Sequence, residues 1–204
     1  MTRYRSAALR AASTAFDLVA GAIFGAILLL GLVAVGIVTA REARSEPLPL
    51  AGATIETAFA PGREPAALVA RAIGDGRHEV RMMTYQLTNG VIINALRAAA
   101  GRGVDVAVIV DEATCKARRF PPVADVLHRA GVGVSCDGRH PIHHNKVVLI
   151  DGTSVVTGSF NFSPSAEKNA ENTNWIRNAP ALAAIYRRVW EEHRAHSEPM
   201  ARVR

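Results

Sequence analysis

The chain has 204 residues, 49% hydrophobic and 21% charged, a balance that excludes an intrinsically disordered protein and allows one or two domains with real cores. Gly (16) and Pro (10) recur without a three-residue period and there are only two Cys, so collagen-like and disulfide-framework architectures fall away. Of the net charge of +6, residues 1–40, with three Arg and one Asp, hold +2. The +4 left on 41–204 permits an anionic phosphate substrate without specifying one, and no run of Lys or Arg reads as a nucleic-acid arm.

After a basic segment over 1–17, the stretch Leu18 to Ala40 runs 23 residues without a charge. As a helix it would span about 34 Å, against a hydrocarbon core of roughly 30 Å, so one N-terminal hydrophobic helix, a transmembrane signal anchor, is expected over 18–40. Arg3, Arg5 and Arg10 lie upstream, while Arg41 and Arg44 downstream are diluted by Glu42 and Glu46. That asymmetry puts the N-terminus in the cytoplasm and the remainder on the extracytoplasmic face of the membrane. Val38-Thr39-Ala40 also ends like a signal-peptidase site, and cleavage there would leave a periplasmic or secreted protein. Polar, Pro-containing residues 41–52 read as a linker, 53–198 as the folded domain and 199–204 as a tail.

Within the domain a strand is expected over 54–59, then a helix over 64–73 opened by Pro65. A strand over 79–84 precedes a helix over 88–100, where Val91, Ile92, Ala95, Leu96 and Ala99 recur at helical spacing and Gly101 and Gly103 end the run. The strand over 104–110, the helix over 122–130 and the strand over 132–136 continue an α/β alternation. Then the rhythm changes: strands over 144–150 and 154–157 flank Asp151-Gly152, a pair that favours a hairpin turn. A strand over 172–176 and a helix over 180–193 complete an α/β fold, a mixed sheet flanked by helices. Cys115 and Cys136 fall near the ends of neighbouring strands, placed either to pair as a disulfide outside the cytoplasm or to serve as small apolar residues.

The chemistry sits around the hairpin. His144, Lys146 and Asp151 stand as H-x-K-x-x-x-x-D, followed by Gly158-Ser159-Phe160-Asn161. On extended backbone, residues two apart share a face, so His144 projects with Lys146 and Ser159 with Asn161, a set able to grip a phosphate. By the same parity Asp151 faces away from His144, which assigns it a structural role. His143 faces away too and reads as a packing or surface residue; Arg139 and His140 read as the site entrance or as a polar loop. A zinc site built from Cys136, His140 and His143 with Cys115 lacks paired knuckle spacing, so no metal or cofactor is expected.

These residues resemble the HKD signature of the phospholipase D superfamily, in particular its short, single-motif bacterial endonuclease branch. The likeness runs over about residues 52–195 and includes Ala170-Glu171-Asn172 and the closing helix with Trp190. It implies a phospholipase D/nuclease-like fold and phosphodiester cleavage without a metal, by homodimers that are commonly exported. His144 is then the nucleophile that forms a phosphohistidine, and a second histidine protonates the leaving oxygen. Lys146, Ser159 and Asn161 stabilise phosphate charge, Glu171 holds the far nitrogen of His144, and Asp151 and Gly158 belong to the structural frame of the motif. None of His78, His128, His140, His143, His193 and His196 has Lys two residues later, so the second half-site is expected from a twofold-related copy. The resemblance points first to DNA, with RNA as a further substrate, then to membrane phospholipids such as cardiolipin; a membrane-tethered nucleic-acid-binding module without turnover is the reading from another class.

Overall fold

The computed structural model describes residues 47–118 and 120–200. The hydrophobic helix expected over 18–40 and the tail beyond residue 200 lie outside them. Among the described residues, no helix is long and apolar enough to cross a membrane.

In chain order the elements are β1 (Thr54–Ala60), α1 (Glu64–Asp75), β2 (Glu79–Thr84), α2 (Gly90–Gly101), β3 (Asp105–Asp111), α3 (Glu112–Lys116), α4 (Phe120–Arg129), β4 (Gly133–Asp137), β5 (Lys146–Ile150), β6 (Ser154–Gly158), a 3-10 turn (Ala166–Lys168), β7 (Glu171–Arg177), α5 (Pro180–His196) and β8 (Glu198–Pro199). The short α3, the 3-10 turn and β8 were not expected from the sequence. The strands form one sheet in the order β1-β7-β6-β5-β2-β3-β4-β8. β2, β3 and β4 run parallel, and the other neighbours pair antiparallel.

Local sequence accounts for the joints. Pro65 opens α1 at a position whose N–H no helix uses. Asn89 caps α2 by accepting from the Val91 N–H at 3.0 Å. Asp151 (φ 50°) and Gly152 (φ 64°) both adopt the positive φ that a tight hairpin turn between β5 and β6 demands. β5, Lys-Val-Val-Leu-Ile, is buried along its whole length, as a central strand covered on both faces must be.

Alternation along the strands divides the core in two. Val80, Met82, Val108, Val110, Val148, Val156 and Trp175 meet Leu68, Ile73, Ile92, Leu96 and Leu127 of α1, α2 and α4 on one face. Met83, Ile109, Val147, Leu149 and Val155 lie under Ala183 and Trp190 of α5 on the other. Each fully buried aliphatic side chain contributes about 1.5–3 kcal/mol, so both layers hold the sheet. Cys115 of α3 and Cys136 of β4 form a disulfide, with Cα atoms 6.2 Å apart.

This topology places the site. Thr84 at the end of β2 pairs with Lys146 at the start of β5, Val147 with Thr157, Gly158 at the end of β6 with Thr173, and Glu171 at the start of β7 with Ala60. One edge of the sheet therefore collects the ends of β1, β2 and β6 and the starts of β5 and β7.

Candidate active site

β5 begins at Lys146, two residues later than the sequence suggested. The preceding residues are held by other partners: the Tyr85 N–H donates to Asn145 O at 3.0 Å, and the His143 N–H to the Asp111 carboxylate at 2.9 Å. His144 thus sits on an exposed loop at the mouth of the sheet, not on a ladder. Its ring lies 5.0 Å, centroid to centroid, from that of Tyr85.

Lys146 is the buried cation of the site. It is 7% exposed, its Nζ donates to His144 O at 2.7 Å, and the same ammonium stands 5.8 Å from the Tyr85 ring centroid. Burial pushes its pKa down to about 8, against the opposing pull of the Glu171 carboxylate. Glu171 is held below its ordinary range by hydrogen bonding from Ser159 and Asn169, and further by the charges of Lys146 and His144. Asn169 Nδ2 donates to Glu171 Oε1 at 3.0 Å. The direct hydrogen bond from Glu171 to His144 that the resemblance implied is not formed; Asn169 and Ser159 hold the carboxylate instead.

Ser159 and Asn172 clasp each other. The Ser159 N–H donates to Asn172 O at 3.0 Å and to its Oδ1 at 3.2 Å, and the Asn172 N–H donates to Ser159 Oγ at 3.0 Å. This closeness explains Gly158: a Cβ there would stand 2.2 Å from Asn172 O. The half-buried Asn161 spends its backbone oxygen on the Ser163 N–H at 2.7 Å, while its buried side-chain Oδ1 has no hydrogen-bond partner.

Asp151 lies at the opposite end of the sheet. Its carboxylate accepts from the N–H groups of Arg77 (2.8 Å), His78 (2.8 Å) and Glu79 (2.9 Å), tying the hairpin to the start of β2. The motif's aspartate is therefore at the other end of the sheet from Lys146 and Gly158.

Sequence reasoning missed Tyr85, Asn169 and Phe59, and marked Asn172 only as part of the Ala170-Glu171-Asn172 segment. Phe59 is 68% exposed and lines a shallow groove with Ala60, Ser159, Ala170, Glu171 and Asn172. Nothing in the sequence signals that β1 lies beside β7, so an aromatic 85 residues before His144 carried no mark of the site.

The remaining histidines have other partners. His78 is beside Asp151. His128 of α4 borders a surface hollow with Val132, Ser135 and Arg194. His140, His143, His193 and His196 surround Asp137 on the α5 face. Burial opposes ionisation of Asp137, yet the Arg139 N–H and the His193 and His196 rings outweigh it and hold the carboxyl well below its ordinary range.

Comparison with known proteins agrees with this geometry. The family model described as cardiolipin synthase, PLD-like domain, matches residues 69–194. A phospholipase D of Rickettsia bellii is 35% identical over 149 residues, covering 72% of this chain and 73% of that protein. A mitochondrial cardiolipin hydrolase of Xenopus laevis is 27% identical over 132 residues, 62% of this chain and 60% of that protein. The crystal structure of Nuc from Salmonella typhimurium, a phospholipase D family member, superposes with a TM-score of 0.70 at 33% identity, over 74% of this chain and 99% of that one. With its mixed sheet and its single H-x-K set on the sheet's open edge, the chain belongs to the phospholipase D superfamily and is a phosphodiester hydrolase of that family.

Proposed function

We propose that the protein is an endonuclease that cleaves DNA, and RNA as a further substrate, through a covalent phosphohistidine at an active site shared between two copies of the chain. The observation that carries this reading is the incompleteness of the His144 set. His144 is exposed beside Lys146 and Glu171, while the contacts of His78, His140, His143, His193 and His196 place them around Asp151 or Asp137.

In the first step a neutral His144 nitrogen attacks phosphorus, and the departing oxygen takes a proton from the second copy's histidine. In the second step that histidine removes a proton from water, whose oxygen displaces His144 from phosphorus. Lys146 with the Asn161 amide and the Ser159 hydroxyl balances the non-bridging oxygens, donors that typically contribute several kcal/mol to such a transition state. A twofold dimer supplies both histidines from one motif. The open edge of the sheet and the exposed Phe59 beside Ser159 favour a long polymer whose bases can stack there, and among the described residues no base-reading element accompanies them, so little sequence preference is expected.

A lipid phosphodiester is the second reading, favoured by the names of the family model and of the curated relatives and by the membrane anchor expected over 18–40. The Cys115–Cys136 disulfide supports a working domain outside the cytoplasm.

The experiment is nicking of supercoiled plasmid by the full chain in mild detergent and excess EDTA, with His144→Ala and cardiolipin vesicles alongside. Nicking by wild type alone is the expected result. Hydrolysis of cardiolipin without nicking would favour the lipid reading, and unchanged activity in His144→Ala would remove His144 as nucleophile. A binding module without turnover would leave plasmid bound and intact in both.

A further inference from the structure

Beyond the end of β4, on the α5 face of the sheet, four imidazoles surround one carboxylate oxygen. Asp137 Oδ2 has His193 Nδ1 at 2.8 Å, His143 Nδ1 at 2.9 Å, and His140 Nδ1 and His196 Nε2 at 3.3 Å each. A carboxylate oxygen has two lone pairs, so four ring nitrogens exceed what hydrogen bonding to that atom can use. The ligand-capable atoms of Asp137, His140, His193 and His196 all lie within 4.8 Å of one another.

We propose that Asp137, His140, His193 and His196 bind one divalent transition-metal ion of the zinc class, which clamps the β4–β5 loop to the last turn of α5. Three imidazoles and one carboxylate suit a borderline acid such as Zn2+, whereas Ca2+ and Mg2+ take oxygen ligands. His193 and His196, three residues apart, share one face of the helix.

A tetrahedral ion with bonds of about 2.0–2.1 Å needs ligand atoms about 3.3 Å apart. The contacts of Asp137 with His140 and His196, 3.3 Å each, already meet that spacing, and the 2.8 Å contact with His193 opens to it by a small rotation. Wider pairs close by rotation of side chains that are 44% (His140), 16% (His193) and 19% (His196) exposed, and the exposure of His140 gives an ion its path from solvent.

The groups behind the site are arranged as a metal's outer partners are. His143, whose side chain is fully buried, holds Asp137 through Nδ1, and the Arg139 N–H holds Asp137 Oδ1 at 3.0 Å. Such partners fix a ligand's orientation. The zinc set considered from sequence, with Cys115 and Cys136, is excluded because those thiols are joined. The ion proposed here takes no part in the chemistry of His144, and the inference does not depend on the substrate.

The full chain in mild detergent, stripped with EDTA, offered Zn2+ and freed of excess, is expected to carry one equivalent by elemental mass spectrometry. Co2+ in its place should give the visible absorption of a tetrahedral site. Zn2+ at about a hundredfold above its Kd should raise Tm by roughly 5–10 °C. His140→Ala combined with His196→Ala should weaken binding by more than the ~10–100-fold that losing an outer partner costs. His144→Ala and His78→Ala should keep the full equivalent. If the double variant fails to fold, the more exposed His140→Ala alone carries the comparison. Failure of the folded wild type to retain metal, full binding by the His140 variants, or loss of the metal in His144→Ala would each overturn the site.

Discussion

The ammonium of Lys146 donates to the main-chain oxygen of His144 at 2.7 Å, so the cation proposed to meet the phosphate also fixes the backbone of the proposed nucleophile. Burial lowers its pKa from the 10.5 of an ordinary lysine to about 8, and the charge of Glu171 opposes the shift. A donor to phosphate must keep its proton, so the rate should fall as pH rises through about 8. Lys146→Arg, which stays charged at every accessible pH, should lose rate through its different shape but also lose this alkaline limb. Glu171→Gln removes a charge that raises the lysine's pKa and should move the limb to lower pH. An alkaline limb unchanged in Lys146→Arg would assign it to another group. The linkage with stability has the opposite sign: between about pH 8 and 10.5 the unfolded chain retains a proton that the folded one releases, so this group makes folding more favourable as pH rises across that window.

Gly158→Ala tests the clasp between β6 and β7. The added methyl would stand 2.2 Å from Asn172 O and 2.9 Å from Thr173 Cα, both backbone, and backbone cannot rotate away as a side chain can. The expected cost is about 1–3 kcal/mol, measured by urea unfolding. Displacement of the β6–β7 junction should also disturb Ser159 and reduce turnover beyond what the stability loss explains. Wild-type stability together with wild-type turnover would show that the strands separate freely.

Much of this fold could be read in the chain because its signals are local. Asp151-Gly152 specified a hairpin, and both residues take positive φ; the Val91-to-Ala99 periodicity specified a helix. The H-x-K spacing likewise marked two neighbouring residues on one short segment. Tyr85 was not legible, because its place beside His144 depends on β2 pairing with β5 across some sixty residues. The set around Asp137 was hidden for the same reason: His193 and His196 are partly exposed helix residues, and only the packing of α5 on the sheet brings them to the end of β4. The late start of β5 has a tertiary cause that extended-strand parity does not capture, since Asp111 at the end of β3 holds the backbone at His143.

Asp151→Ala should damage stability more than the site. The carboxylate accepts three backbone N–H groups at the start of β2, and removing it leaves those donors to water or unpaired. A loss of about 1.5–3 kcal/mol is expected, the range for hydrogen bonds to a charged group. Thermal denaturation measures it. Turnover well below the new Tm should stay within a few-fold of wild type, and a collapse of rate in a chain that is still folded would give Asp151 a part in catalysis.

The shared site makes a prediction about mixtures. If the second histidine comes from a twofold copy, refolding wild-type chains with an excess of His144→Ala chains places most wild-type subunits in mixed dimers. Each mixed dimer then holds one His144 where the two steps require two, either lacking the nucleophile or lacking the proton donor. Activity per wild-type subunit should therefore fall in proportion to the fraction of mixed dimers, counted by tagging one chain. Activity per wild-type subunit that stays constant across the mixing series would mean that one chain completes the reaction with groups of its own.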